Sequence, residues 1–148
     1  MPGPDVPKPA GAAASPGETD WLSRHAPREW VQVALAELRR ASAAFEANDL
    51  GAGVAGCKRA AGMALNGALQ VEPDPRWGRT YVDHLRALAE DAGVPTAVRD
   101  ACRVLLEAKP PNPHLLILRV PRSNDRVLEA ARDVMAHALA VVMRHERD

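Results

Sequence analysis

Apolar residues recur with a helical period over five stretches of this chain, separated by turns rich in Pro, Gly, Asn and Asp. Near the start, Thr19 or Asp20 is placed to cap a short helix carrying Trp21 and Leu22, which Pro27 interrupts. Over residues 28–47, Val31, Ala34, Leu35, Leu38, Ala41 and Phe45 form one stripe, with Glu37, Arg39 and Arg40 off it. Asn48 and Asp49 close that helix. Residues 50–70 form a second, with Val54, Cys57, Ala61, Ala64, Leu65 and Ala68 as its stripe. It also holds Gly51, Gly53, Gly56, Gly62 and Gly67, each costing up to about 1 kcal/mol relative to Ala in a helix interior. Close approach of another helix offsets that cost, so the pattern predicts a helix at the centre of a bundle or on a dimer axis.

A Pro-rich turn at 72–75 follows. A third helix is predicted over 77–92, burying Tyr81, Leu85 and Leu88 and ending at Gly93. A fourth, over 95–108, turns Val98, Cys102, Leu105 and Leu106 inward. Leu115, Leu116, Ile117 and Leu118 are bracketed by prolines and read as an extended loop packed on the bundle, not a sheet strand. Ser123 and Asp125 are cap candidates for a last helix reaching Arg147, with Leu128, Ala131, Met135, Ala138, Leu139 and Val142 on its stripe. The fold class expected is all-α, an antiparallel four- to five-helix up-and-down bundle.

Residues 1–17 are mostly Pro, Gly and Ala, with almost nothing to bury against the entropy of ordering, and read as a disordered tail ahead of a bundle over 18–148. Acids and bases balance at nineteen each, so no net field draws in nucleic acid or a membrane. No apolar run reaches the roughly 18 residues of a membrane span and no secretory signal precedes the fold, which points to a soluble cytoplasmic protein. Cys57 and Cys102 are far apart, outside any CxxC pair, and read as small core hydrophobes. The bases are sixteen arginines and three lysines. Arginine grips phosphate and carboxylate bidentately, but a codon bias that also enriches Ala, Gly, Pro and Val accounts for the excess without a ligand.

The order of these pieces resembles the HEPN domain family. Trp21-Leu22 and the amphipathic run after it look like that family's opening helix. Ala60-Ala61 followed by Ala64-Leu65 match the frame of its A-A-E-K-A-L pattern, with Gly62-Met63 where the charged pair stands. His84-Leu85 falls where members carry T-H-D-L, and Arg119-Val120-Pro121 where they carry T-R-Y-P. The likeness spans residues 19–146. It implies a small helical bundle, a homodimer, and in many cases pairing with a minimal nucleotidyltransferase. It also implies the chemistry to look for, since ribonuclease members use an R-x(4–6)-H motif without metal. There a histidine passes the 2′-hydroxyl proton and an arginine holds the phosphate as charge builds.

Two stretches fit that spacing, Arg79 to His84 and Arg132 to His137. Sixteen Arg, five His and three permitted spacings give about 1.6 accidental matches, so two carry little weight. Residues five apart on a regular helix also lie about 140° apart around its axis. The Arg79–His84 pair escapes that objection only if the helix starts at Thr80 or later. The leading expectation is a nucleotide- or RNA-associated binding module, dimeric and non-catalytic, with Arg76, Arg79, His84 and Arg119 lining its polar cleft. The alternative is a metal-independent, toxin-like endoribonuclease using Arg79 with His84 or Arg132 with His137. A helical interaction domain without a ligand is the third reading. Trp77 and Tyr81 are candidate base-stacking residues or core. Asp83 can orient His84, but no Ser or Cys nucleophile stands nearby. His137 and His145 lack a third ligand, so no metal and no cofactor is expected.

Overall fold

The computed structural model describes residues 21–109 and 122–147. The predicted tail at 1–17, the apolar run at 115–118 and Arg119 lie outside the described residues. Five helices, packed antiparallel, make up the described chain: α1 (Pro27–Glu46), α2 (Leu50–Val71), α3 (Tyr81–Ala89), α4 (Thr96–Glu107) and α5 (Arg122–Glu146). Two single 3-10 turns, Leu22–Arg24 and Pro75–Trp77, precede α1 and α3. There is no strand among the described residues, and no helix there is long and apolar enough to cross a membrane.

Local chemistry sets the boundaries. Pro27 opens α1 where its missing N–H is no loss. The Glu29 carboxylate accepts from the Ala26 backbone N–H at 2.7 Å and closes that end. Asn48 takes a left-handed φ of 62°, which asparagine tolerates better than most residues, and stops the helix. Asp49 then caps α2 by accepting from the Ala52 N–H at 3.2 Å.

Helix α2 runs through the centre, with Cys57, Ala60, Ala61, Ala64, Leu65 and Asn66 fully buried. Its small residues are used inside the chain. A Cβ on Gly56 would fall 2.8 Å from the Ala41 Cβ, so α1 lies closer to it than any larger residue permits. The two cysteines are free and buried, and burial pushes the Cys57 thiol up to about 11 and that of Cys102 to about 12. Neither is a thiolate near neutrality.

Three expectations need correction. Leu35 belongs to the apolar stripe of α1 but is 42% exposed, whereas Trp30 and Glu37 are buried. Trp30 turns inward because its indole N–H donates to the Leu22 carbonyl at 2.7 Å, tying the first 3-10 turn to α1. The third helix does not begin at Trp77. Gly78, at φ 64°, separates the 3-10 turn from α3, and its conformation is one that side-chain-bearing residues rarely adopt.

Candidate functional site

The turn between α2 and α3 is assembled from its own polar side chains. Asp74 accepts from the Arg76 backbone N–H at 3.0 Å and starts the 3-10 turn, which swings Trp77 into the core. Thr80 caps α3 by accepting from the Asp83 N–H at 3.0 Å. Arg79 therefore stands in the linker, exposed, and His84 lies in the first turn of α3. The angular objection to this pair does not apply, because only one of them is helical.

His84 is wholly buried, and both its ring nitrogens are engaged. Nδ1 lies 2.9 Å from the Trp77 carbonyl and Nε2 lies 2.9 Å from the Asn66 side-chain amide. A carbonyl only accepts, so Nδ1 carries the proton and donates. In a neutral ring Nε2 is then an acceptor, which requires Asn66 to present its NH2 group. The orientation with the Asn66 oxygen toward His84 leaves that NH2 buried without a partner. Turning the amide over satisfies the donor and leaves only a carbonyl oxygen unpaired, the cheaper of the two. Burial is the main force on the imidazole. It pushes the pKa below the ordinary 6.5, while the Trp77 carbonyl and Asp83 pull weakly the other way. The ring is neutral at pH 7.

Aromatic rings enclose this histidine. Trp21 stacks on it, with centroids 6.2 Å apart and planes 22° off parallel. Trp77 sits at 5.7 Å, and Tyr81 presents an edge-on contact at 6.3 Å. Tyr81 occupies its place because Gly62 of α2 has no side chain, a Cβ there overlapping Cβ, Cγ and Cδ1 of the tyrosine. On the surface, the Arg79 guanidinium lies over the Trp21 ring, 5.8 Å from its centroid. Arg79 and His84 thus meet the same tryptophan, but His84 has no nitrogen free to exchange a proton with a bound molecule.

Beside Tyr81 is a second polar group that the sequence reading missed. Glu37 is 8% exposed, yet it accepts from Arg40 at 2.8 Å and from Arg59 at 2.6 Å. Burial raises the Tyr81 hydroxyl pKa, and that hydroxyl also feels the charges of Arg59, Glu37 and Arg24. Arg79 thus lies over Trp21 while the charges of Arg59 and Arg24 reach Tyr81, both rings being partly buried. Arg59, Gly62, Asn66 and Gln70 follow one another three or four positions apart along α2, a polar stripe in an otherwise apolar helix. That spacing was the available signal.

The other candidates are placed differently. Arg76 is held by Asp74 at 2.6 Å and lies 3.8 Å from Asp91, so carboxylates already engage its guanidinium. It borders a shallow depression of about 360 Å³ with Asp83, Arg86 and Glu90, where the charges balance. Arg132 is exposed, and its charge is felt at Cys57 of α2. His137, half-buried, faces elsewhere: burial lowers its pKa first, then Arg144, against Glu72 and Asp91. No bond or ion pair joins Arg132 to His137, as the 140° or so between them on α5 dictates. Glu72 is taken by Arg144 at 2.6 Å and His145 at 2.7 Å, which lower its pKa. No group of three or more His, Cys, Asp or Glu among the described residues is arranged to hold a metal ion. No protein-family model, curated protein or solved structure matches the chain.

Proposed function

We propose that this chain is a HEPN-like, non-catalytic module that binds the phosphate and base of a nucleotide or of single-stranded RNA on the face made by Trp21, Tyr81, Arg24, Arg59 and Arg79. One observation carries this reading: both nitrogens of His84 are spent inside the core, while the arginines gather outside around aromatic rings. Guanidinium forks match phosphate oxygens bidentately. A base stacks on an aromatic ring or a guanidinium plane with about 1–3 kcal/mol of attraction. Arg79 over Trp21 offers both at one point, Arg59 remains partly exposed although Glu37 pairs with it, and His84 acts as the support beneath the stack.

Two copies would not meet through α2, whose small residues face the chain's own Ala41 and Tyr81. The α1–α5 seam supports dimerisation better. Arg28 donates to Glu146 at 2.6 Å there, and Leu35 and Met143, exposed at 42% and 40%, lie seven and three residues along the same helices.

The test is fluorescence anisotropy of a labelled single-stranded RNA oligonucleotide, read alongside tryptophan quenching and a gel of the same RNA. We expect binding that weakens as salt rises, quenching of Trp21, intact RNA, and at least tenfold loss in Arg79→Gln. Absence of binding at low salt would refute the reading. RNA shortening that disappears in His84→Gln would replace it with the ribonuclease.

A further inference from the structure

The acidic side chains fall into two groups. Most have work within the fold: Glu37 holds Arg40 and Arg59, Glu72 holds Arg144 and His145, Asp74 holds Arg76, and Asp49 caps α2. Asp125, Glu129 and Asp133 on α5, like Glu46, Glu90 and Glu107 elsewhere, are exposed and make no side-chain ion pair or hydrogen bond among the described residues, but these three alone stand together on one helix face. Asp125 lies in the first turn, where the helix dipole favours an acid. Glu129 and Asp133 have no such explanation. Spaced four apart, they stand in a row with Asp125, and the like charges repel one another.

That row borders a groove of about 460 Å³ between α4 and α5. Its floor is apolar and low, formed by Ala101 and Val104 of α4 with Ala130 of α5, and the exposed Ala97 stands at its edge. Ala101 and Ala130 are both 5% exposed, so the small side chains set the depth. Asp100, bonded to Arg103, adds a fourth carboxylate to the lining, against one cation, Arg126, among the described residues. The groove is apolar beneath and negative along its rim.

The geometry points to a docking site for a basic amphipathic helix of a partner protein. Two adjacent helices form a trough that a third fills, apolar face down. Carboxylates four residues apart are about 6 Å apart along α5, the same rise that separates lysines or arginines four apart on the incoming helix. Small or branched apolar side chains of the partner enter over Ala101 and Val104, while its cations meet Glu129 and Asp133. The rim repels phosphate, so this surface is chemically opposite to the arginine face around Trp21 and does not depend on what that face binds.

The experiment titrates the full-length, nitrogen-15-labelled protein with a synthetic helical peptide bearing lysines four apart on one face and Leu and Ala on the other. A scrambled peptide of equal composition is the comparison. The expected result is amide shifts at Ala101, Val104 and Ala130, with affinity at least tenfold above that for the scrambled peptide. A Glu129→Lys/Asp133→Lys variant loses at least tenfold while its thermal unfolding stays unchanged. Equal affinity for the two peptides overturns the proposal, because it would mean charge alone is read. So do shifts spread over Glu46 and Glu90, shifts confined to residues 110–121, or a homodimer that comes apart in the charge-reversal variant.

Discussion

Arg79–His84 and Arg132–His137 carry the same spacing, and the fold treats them in opposite ways. The first straddles a helix start. Gly78 and the Thr80 cap keep Arg79 outside α3, so it reaches the Trp21 ring from the surface while the buried His84 stacks on the same ring. The second lies wholly inside α5, where helical geometry turns Arg132 and His137 to different neighbours. Spacing in sequence becomes proximity only where a cap or a turn interrupts the helix. Even then, His84 is taken up by hydrogen bonds before any ligand arrives.

Removing each histidine in turn separates the two pairs by the largest effect. His84→Ala should lose about 3 kcal/mol in denaturant unfolding, from the cavity plus a stranded Trp77 carbonyl and Asn66 amide. His137→Ala, half-buried and without a side-chain hydrogen bond among the described residues, should lose less than about 1 kcal/mol. Equal losses would dissolve the distinction. Next in size is Gly62→Ala, whose new methyl overlaps the base of the Tyr81 side chain and should cost about 1–3 kcal/mol. The change should also weaken RNA binding, since Tyr81 must shift; an unaltered melting temperature would show that the ring yields freely.

Arginine substitutions come third. Arg79→Gln should weaken single-stranded RNA binding about tenfold, about 1.4 kcal/mol, with the melting temperature unchanged, and Arg132→Gln should leave affinity as it was. Parity between these two variants would move the binding face away from Trp21.

The smallest effect is on pH. His84 has a pKa lowered in the folded state, so folding favours its neutral form. Its contribution is complete above the unfolded value near 6.5 and drains away as pH falls from there toward the depressed folded value. One proton limits the slope to about 1.4 kcal/mol per pH unit. Unfolding curves below 6.5 should be steeper in pH for the natural chain than for His84→Gln; parallel curves would show that His84 titrates normally.

Much of this architecture was legible in the sequence because helix signals are local. Pro27 and Asn48-Asp49 mark the ends of α1 and the start of α2 close to where they fall, and the stripe of α2 from Val54 to Ala68 is buried as its period requires. The site was less legible because its geometry depends on contacts between elements. Nothing in the neighbourhood of Leu35 reveals that α1 turns Trp30 and Glu37 inward instead, for that choice is made by α2 and by the Leu22 carbonyl. Asn66 shares a stripe of α2 with Arg59 and Gln70, but its partner is settled only when His84, eighteen positions away, is brought against it. Arg24 and Arg59 join Arg79 only through packing around Trp21 and Tyr81.

In the function proposed, His84 is a neutral structural support beneath a surface that binds RNA. Nitrogen-15 NMR of the histidine side chains, followed through a pH titration with and without RNA, tests it most directly. The prediction is a His84 ring that stays neutral through its ordinary 6.5 with the proton fixed on Nδ1, while RNA shifts Trp21 and leaves that proton in place. A His84 that titrates near 6.5, or that gains or moves its proton when RNA is added, would contradict the claim and return the ring to catalysis.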